Sequence, residues 1–282
     1  MNKICSNCNN TAIRLKRSFC GICYSKWLRY GDPNQTSQWY KNHCGILDLN
    51  LTQNNLIIGS LLGDAYMRRR RNGSNASIAI MRAEKDLSYL QYQAQILHNL
   101  LTSGGIFIGD KIDKRTNKNY RYCNFTTKCL TILNPIFDEW YKDKIKIVPE
   151  NLTLTGEIVA YWFCDDGTFS YNSKKDTLRT QFATNSFNEK EVNLLAIKLS
   201  NFINNTVAIQ PVKNKQFILH LNASSTIDLI TKILPYFPEG MDPKMIWNDL
   251  SFLEKLKGKR NTILKQSKSL KVDNLINLVR NN

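Results

Sequence analysis

No apolar run in this chain reaches the roughly 18 residues that a membrane-spanning helix needs. Its N-terminus opens on cysteines and polar residues instead of the charged start and apolar centre of a signal peptide. The expectation is a soluble intracellular protein, in the cytoplasm of a bacterial or phage-infected cell or in an organelle. Carboxylates are also in short supply: 23 Asp+Glu face 39 Lys+Arg, a formal net charge of +16. That excess makes a polyanion the natural partner and favours nucleic acid over a membrane surface. With 42% hydrophobic residues over 282 positions, disorder throughout is excluded, and the length suits one or two globular domains.

Cysteine is present but unevenly spread, which excludes the disulfide framework of a short secreted protein. Cys5-Ser-Asn-Cys8 and Cys20-Gly-Ile-Cys23 form two Cys-x-x-Cys pairs around the basic segment Arg14 to Arg17. This is the spacing of a tetrahedral structural Zn2+ site, in which each pair grips one side of the ion. Four free cysteines in a small core are the alternative. His43 and Cys44 could be alternate ligands, though such a lone pair is more often incidental, and Cys123, Cys129 and Cys164 are too dispersed to form a site. A turn-rich stretch from Gly31 to Ser37 closes the module, so residues 1–33 are read as a zinc-binding unit and 34–50 as a linker.

Beyond the linker stands an apolar run from Leu56 to Leu62, followed by Gly63-Asp64-Ala65-Tyr66 and a basic stretch, Arg68 to Arg71. About 100 residues later Glu157 to Phe169 repeats the pattern, and self-similarity at a long interval signals two copies of one structural unit. Thr52 is the expected cap of the first helix, with Gly59 and Gly63 offering a small face to a second helix. Two strands follow around Asn72-Gly73-Ser74, then a helix from Glu84 to Leu101. A hairpin of Ile106 to Ile112 and Tyr120 to Thr126 leads to a helix from Leu130 to Tyr141. The second copy reads as a motif helix to Asp166 and strands 168–172 and 178–183. A helix from Asn188 to Ile203, strands 206–211 and 216–221 and a helix from Ser224 to Leu234 complete it. A short helix, Pro243 to Trp247, and a lysine-rich amphipathic tail end the chain.

The segments GSLLGDAY and AYWFCDDGTF resemble the paired motifs of the LAGLIDADG homing endonucleases, over roughly residues 52 to 250. The second copy departs from the family pattern in carrying Tyr161 and Trp162 where small residues would let the helices approach most closely. The resemblance implies a mixed α/β (α+β) fold: two αββαββα units, 51–150 and 151–250, forming a DNA-binding saddle, with a basic tail at 251–282. The zinc module, through the stretch Tyr24 to Pro33, is similar to those found at the ends of phage nucleases, where a histidine usually stands in place of Cys23.

Asp64 and Asp166, each at a helix C-terminus whose carbonyls and dipole favour a cation, are the expected Mg2+ ligands. Lys146 and Lys244 match the family's lysines near the reacting water or phosphate. Superposing the motifs sets Asp165 opposite Gly63, so that Asp165 is expected to be dispensable. Two hairpins per unit imply a sheet that meets the DNA major groove, with Arg68, Arg70, Lys111, Arg121, Lys174, Arg179, Gln181, Lys213 and Lys215 as contact candidates. The expected activity is that of a monomeric homing endonuclease making a Mg2+-dependent double-strand break at a long site in double-stranded DNA. The alternative is an intron maturase binding intron RNA, or a non-cleaving DNA-binding protein, on the same fold.

Overall fold

Each motif repeat builds a helix, a hairpin, a helix, a second hairpin and a closing helix, in the order read from the apolar periodicities. The computed structural model describes residues 3–35, 48–69, 75–113, 117–172, 177–238 and 241. These fall into two compact units, one within Met1–Asn54 and Ala65–Glu139, the other within Asn55–Asp64 and from Trp140 onward. The expected linker residues 36–47, the turn Asn72-Gly73-Ser74, the helix Pro243 to Trp247 and the tail 251–282 lie outside the described residues. Among the described residues no helix is long and apolar enough to cross a membrane.

The first unit begins with a short hairpin, β1 (Lys3–Ile4) and β2 (Thr11–Ala12), and helix α1 (Gly21–Tyr30). Gly31, at φ 80°, closes α1 by donating its N–H to Trp27 O. The Ser103 hydroxyl donates to that same carbonyl, at 3.0 Å, which ties the cysteine-bearing segment to the body of the unit. The first motif helix, α2, is Leu51–Leu62. Its cap is Asn50, not Thr52. The Asn50 carboxamide accepts the Gln53 N–H at 2.8 Å, and Gln53 Oε1 accepts the Asn50 N–H at 3.3 Å. This reciprocal capping pattern starts the helix before Thr52.

Strands β3 (Tyr66–Arg68), β4 (Ser77–Ala83), β5 (Phe107–Asp113) and β6 (Lys118–Thr126) form an antiparallel sheet in the order β3-β4-β6-β5. Ile80 pairs with Phe125 and Arg82 with Cys123, a register that puts their side chains on the face packed by helix α3 (Leu87–Ile96). The single helix expected from Glu84 to Leu101 is therefore shorter, with 3-10 turns at Glu84–Asp86 and His98–Leu100. The Gln53 carboxamide donates to Ile96 O at 3.0 Å and to Asn99 Oδ1 at 2.9 Å, taking a carbonyl that a continuing helix would need. Helix α4 (Asn134–Trp140) follows a 3-10 turn, again shorter than the expected span.

In the second unit, strands β7 (Tyr141–Lys142) and β8 (Ile145–Lys146) form a tight hairpin that periodicity does not reveal. Its two turn residues, Asp143 and Lys144, both have positive φ, as the favoured two-residue turn requires. Helix α5 (Gly156–Asp166) is capped by the Thr155 hydroxyl, which accepts the Ile158 N–H. Strands β9 (Gly167–Asn172), β10 (Thr177–Phe182), β11 (Ala208–Val212) and β12 (Gln216–Leu221) pair antiparallel in the order β11-β12-β10-β9. Helices α6 (Glu189–Ile203), with an Asn188/Glu191 capping box, and α7 (Ala223–Ile233) pack on one face. There Phe182, Leu219 and Leu221 join Leu195 and Leu199 in the core, and the Trp162 ring lies 4.4 Å from that of Phe182, tilted by 40°.

Candidate active site, sheet faces and cysteine cluster

Helices α2 and α5 approach closely where α2 carries Gly59. A methyl group at Gly59 would lie 2.6 Å from the Ile158 carbonyl oxygen and 2.7 Å from Tyr161 Cβ. The small residue that close packing needs is thus supplied by the first motif, which is how the second can carry buried Tyr161 at the contact, while the Trp162 ring packs against Phe182 of the sheet. A polar bridge runs beside this contact: the Asn55 carboxamide donates to Glu157 Oε2 at 2.8 Å, and the Tyr161 hydroxyl donates to Glu157 Oε1 at 3.2 Å. Asn55 is buried, so the bond to Glu157 also satisfies a group that could not remain unpaired cheaply.

At the ends of the two helices stand the acidic residues. Asp64 lies two positions beyond α2 and is exposed, whereas Asp166 is the last residue of α5 and half-buried. Asp165 does sit opposite Gly63, where a Cβ would fall 2.3 Å from Asp165 Cβ. Its side chain is engaged: Asp165 Oδ2 accepts the Asp64 N–H at 3.2 Å. The space left by the absent side chain of Gly63 admits the carboxylate.

The β7–β8 hairpin delivers Lys146 to the same place. Its ammonium donates to Leu61 O at 2.9 Å and Gly63 O at 3.1 Å, capping carbonyls at the C-terminal end of α2. It also lies 5.5 Å from the centre of the Phe187 ring. Burial lowers the Lys146 pKa from its ordinary value, against the opposing pull of Asp166, Asp64 and Asp165. Desolvation therefore wins over three nearby carboxylates. Lys244, its expected counterpart, lies outside the described residues.

Strand alternation sorts the remaining candidates. On β9 and β10, Phe169, Leu178, Thr180 and Phe182 are buried towards the helices, while Thr168, Arg179 and Gln181 stand on the helix-free face. Arg179 Nε donates to Ser170 Oγ at 3.0 Å, and Gln181 pairs in register with His220. In the first unit's sheet the same parity puts Arg68 and Lys111 on the helix-free face with Tyr66, Tyr120, Tyr122 and Asn124. Arg121 falls on the other face, with Cys123 and Phe125, and forms an ion pair with Glu84 at 3.1 Å. Lys213 and Lys215 are exposed in the turn joining β11 to β12, and Arg70 and Lys174 lie outside the described residues.

The four N-terminal cysteines converge so that all four sulfurs lie within 4.8 Å of one another. Cys8 and Cys20 sulfurs are 3.7 Å apart, close to the edge of about 3.8 Å that a tetrahedron of Zn–S bonds implies. The Cys20 N–H donates to Cys5 Sγ at 3.2 Å and the Asn7 carboxamide to Cys23 Sγ at 3.5 Å. Burial pushes the Cys5 thiol up, but backbone donors from Cys20, Cys8 and Asn7 outweigh it and bring the pKa down to about 6. At Cys23 the Asn7 bond lowers the pKa, yet burial and the neighbouring Cys8, Cys20 and Cys5 thiols push it up to about 12. Four thiol donors at tetrahedral spacing suit a soft, four-coordinate ion such as Zn2+.

Residues 54–229 match the profile of the LAGLIDADG DNA endonuclease family. The chain belongs to this family. Over 221 residues it is 30% identical to the cytochrome b mRNA maturase bI2 of Saccharomyces cerevisiae, a match covering 72% of this chain and 49% of the yeast protein. The chain therefore spans about half the length of that relative. A probable intron-encoded endonuclease of Wickerhamomyces canadensis is 27% identical over 206 residues, covering 71% of this chain and 86% of the relative. The solved structure of the homing endonuclease I-WcaI bound to its DNA recognition sequence superposes with a TM-score of 0.67 at 20% identity, covering 76% of this chain and 94% of that one. Its mixed α/β fold, with helices on antiparallel sheets, is the fold of this LAGLIDADG protein.

Sequence reasoning did not single out Thr168, Ser170, Gln210 or His220 on the helix-free face of the second sheet, nor Tyr66 and Asn124 on that of the first. The period-two alternation within each strand is the signal that finds them once strand register is known.

Proposed function

We propose that this LAGLIDADG chain is a site-specific endonuclease that cuts both strands of a long double-stranded DNA target as a monomer, with a Zn2+ ion in the Cys5/Cys8/Cys20/Cys23 cluster. The observation that carries the reading is the gathering of Asp64, Asp166 and Lys146 at the ends of two helices packed at Gly59. Asp64 and Asp166 offer hard carboxylate oxygens, the donor type Mg2+ takes. When bound there, Mg2+ would supply an activated water and relief of charge at the phosphate and leaving oxygen. Lys146, held by two helix-end carbonyls, places a positive charge beside the carboxylates, where it counters phosphate charge and moves a proton more readily than an ordinary lysine.

Arg68, Lys111, Arg179 and Gln181, on helix-free sheet faces, would meet DNA phosphates and base edges, with Arg70, Lys174, Lys213 and Lys215 as further contacts. The cysteine module, with Lys3, Arg14, Lys16, Arg17, Lys26 and Arg29 against a single acidic residue, Asp32, would hold flanking DNA. Residues 1–33, 51–150 and 151–250 would act as the module and the two halves of the enzyme, in an intracellular or organellar setting. A second reading is favoured by the similarity to a maturase: the same fold would bind intron RNA. Incubation with a DNA library and Mg2+, followed by sequencing of the breaks, tests the reading. Recovery of one long preferred site supports it, and binding to intron RNA with no DNA breaks supports the second reading.

A further inference from the structure

We infer that Asp165 is a positioning residue for Asp64, and that the two candidate catalytic carboxylates are therefore held by different means. The inference rests on the endonuclease reading. Asp166 is itself part of α5, so the helix ladder fixes its backbone, and its carbonyl accepts the Ala183 N–H at 3.0 Å. Asp64, by contrast, stands beyond the end of its own helix. Helix α2 ends at Leu62, and the Gly63 N–H turns back to Ser60 O in a tighter terminal bond of 3.1 Å. The next N–H, that of Asp64, is taken by the Asp165 carboxylate at 3.2 Å.

Two bonds thus clamp the Gly63-Asp64 peptide, and a third anchors the helix end just before it. Lys146 holds the Leu61 and Gly63 carbonyls, and Asp165 holds the following N–H. The clamp cannot be mirrored on the other side, because the residue equivalent to Asp165 in the first motif is Gly63. A side chain there would collide with Asp165, 2.3 Å from its Cβ and 2.6 Å from its Oδ2. The adjacent acidic pair Asp165-Asp166 is therefore divided between two tasks: Asp166 addresses the reaction, and Asp165 holds the carboxylate of the opposite motif in place. A charged acceptor on a backbone N–H is among the stronger hydrogen bonds, and small misplacement of a catalytic group is costly.

The test compares wild type, Asp165→Ala and Asp165→Asn, since Asn keeps an oxygen that accepts an N–H but loses the charge. Amide hydrogen exchange at Asp64, read by NMR, should show protection in wild type and Asp165→Asn and at least about tenfold faster exchange in Asp165→Ala. This readout is independent of cutting. On a supercoiled plasmid bearing the mapped site, Asp165→Ala should accumulate nicked circles with one strand cut about tenfold more slowly, while Asp165→Asn should proceed to linear product. Unchanged Asp64 exchange in a folded Asp165→Ala protein overturns the inference. So does equal loss of both strands in Ala and Asn, which would make Asp165 a metal ligand or a charge instead. A wild type that shows the exchange pattern but cuts no DNA overturns the endonuclease reading while leaving the clamp standing.

Discussion

Replacing Gly59 by alanine probes the helix packing on which the acidic cluster depends. The added methyl would sit 2.6 Å from the Ile158 carbonyl oxygen and 2.7 Å from Tyr161 Cβ. Ordinary carbon–oxygen contacts begin at about 3.3 Å, so the helices must part by roughly 0.7 Å. Neither obstacle is the tip of a flexible side chain. Ile158 O belongs to the backbone of α5, and Tyr161 is buried and anchored by its hydroxyl on Glu157. Overpacking of this kind costs about 3 kcal/mol at the upper end of its usual range. The exchange of glycine for alanine inside a helix returns about 1 kcal/mol, leaving a net loss of about 2 kcal/mol. For a chain of this order that corresponds to a fall in Tm of roughly 4–8 °C. Thermal unfolding followed by circular dichroism measures it, and cleavage should fall further than stability because the Asp165 contact to Asp64 lies at the end of the same helix pair. A Gly59→Ala protein with an unchanged or raised Tm would refute the close approach and the reasoning built on it.

Asp64→Asn and Asp166→Asn should each abolish double-strand cutting in Mg2+ while DNA binding persists, as gel shift and cleavage on one mapped site would show. Lys146, with its pKa lowered by burial, contributes stability that is present above its unfolded pKa, near 10.5, and lost as pH falls through the folded value. Unfolding free energy should therefore rise with pH in the window just below 10.5, and Lys146→Met should flatten that rise in denaturant titrations. Arg179→Ala should weaken DNA binding about 10- to 100-fold, whereas Arg121→Ala, on the opposite sheet face and paired with Glu84, should change it little; fluorescence anisotropy separates the two. Native mass spectrometry should find one zinc ion bound, lost in Cys8→Ala, and chelation should unfold the N-terminal module, seen as a change in Trp27 fluorescence.

Much of this molecule is written locally. The repeated apolar run ending in an acidic residue, the helix and strand periods that follow it, and the paired Cys-x-x-Cys spacing depend on neighbours along the chain, so the αββαββα order and the cysteine cluster are both legible without coordinates. The capping pair Asn50/Gln53 is legible too, once Asn-x-x-Gln is preferred over Thr52 as the helix start. What the chain order leaves open are relations between residues far apart in number. The β7–β8 hairpin is only two residues per strand and turns on Asp143 and Lys144, without the glycine that usually marks such a turn, yet it brings Lys146 to the end of a helix 83 residues earlier in the chain. Arg121 looks like any other basic strand residue until the pairing of Cys123 with Arg82 and of Phe125 with Ile80 assigns the odd-numbered residues of β6 to the helix-packed face. Asp165 reads as a redundant neighbour of Asp166 because a helix turns adjacent residues about 100° apart. Only the packing of one helix end against another, made possible by the missing side chain at Gly63, decides that its carboxylate meets the backbone of Asp64.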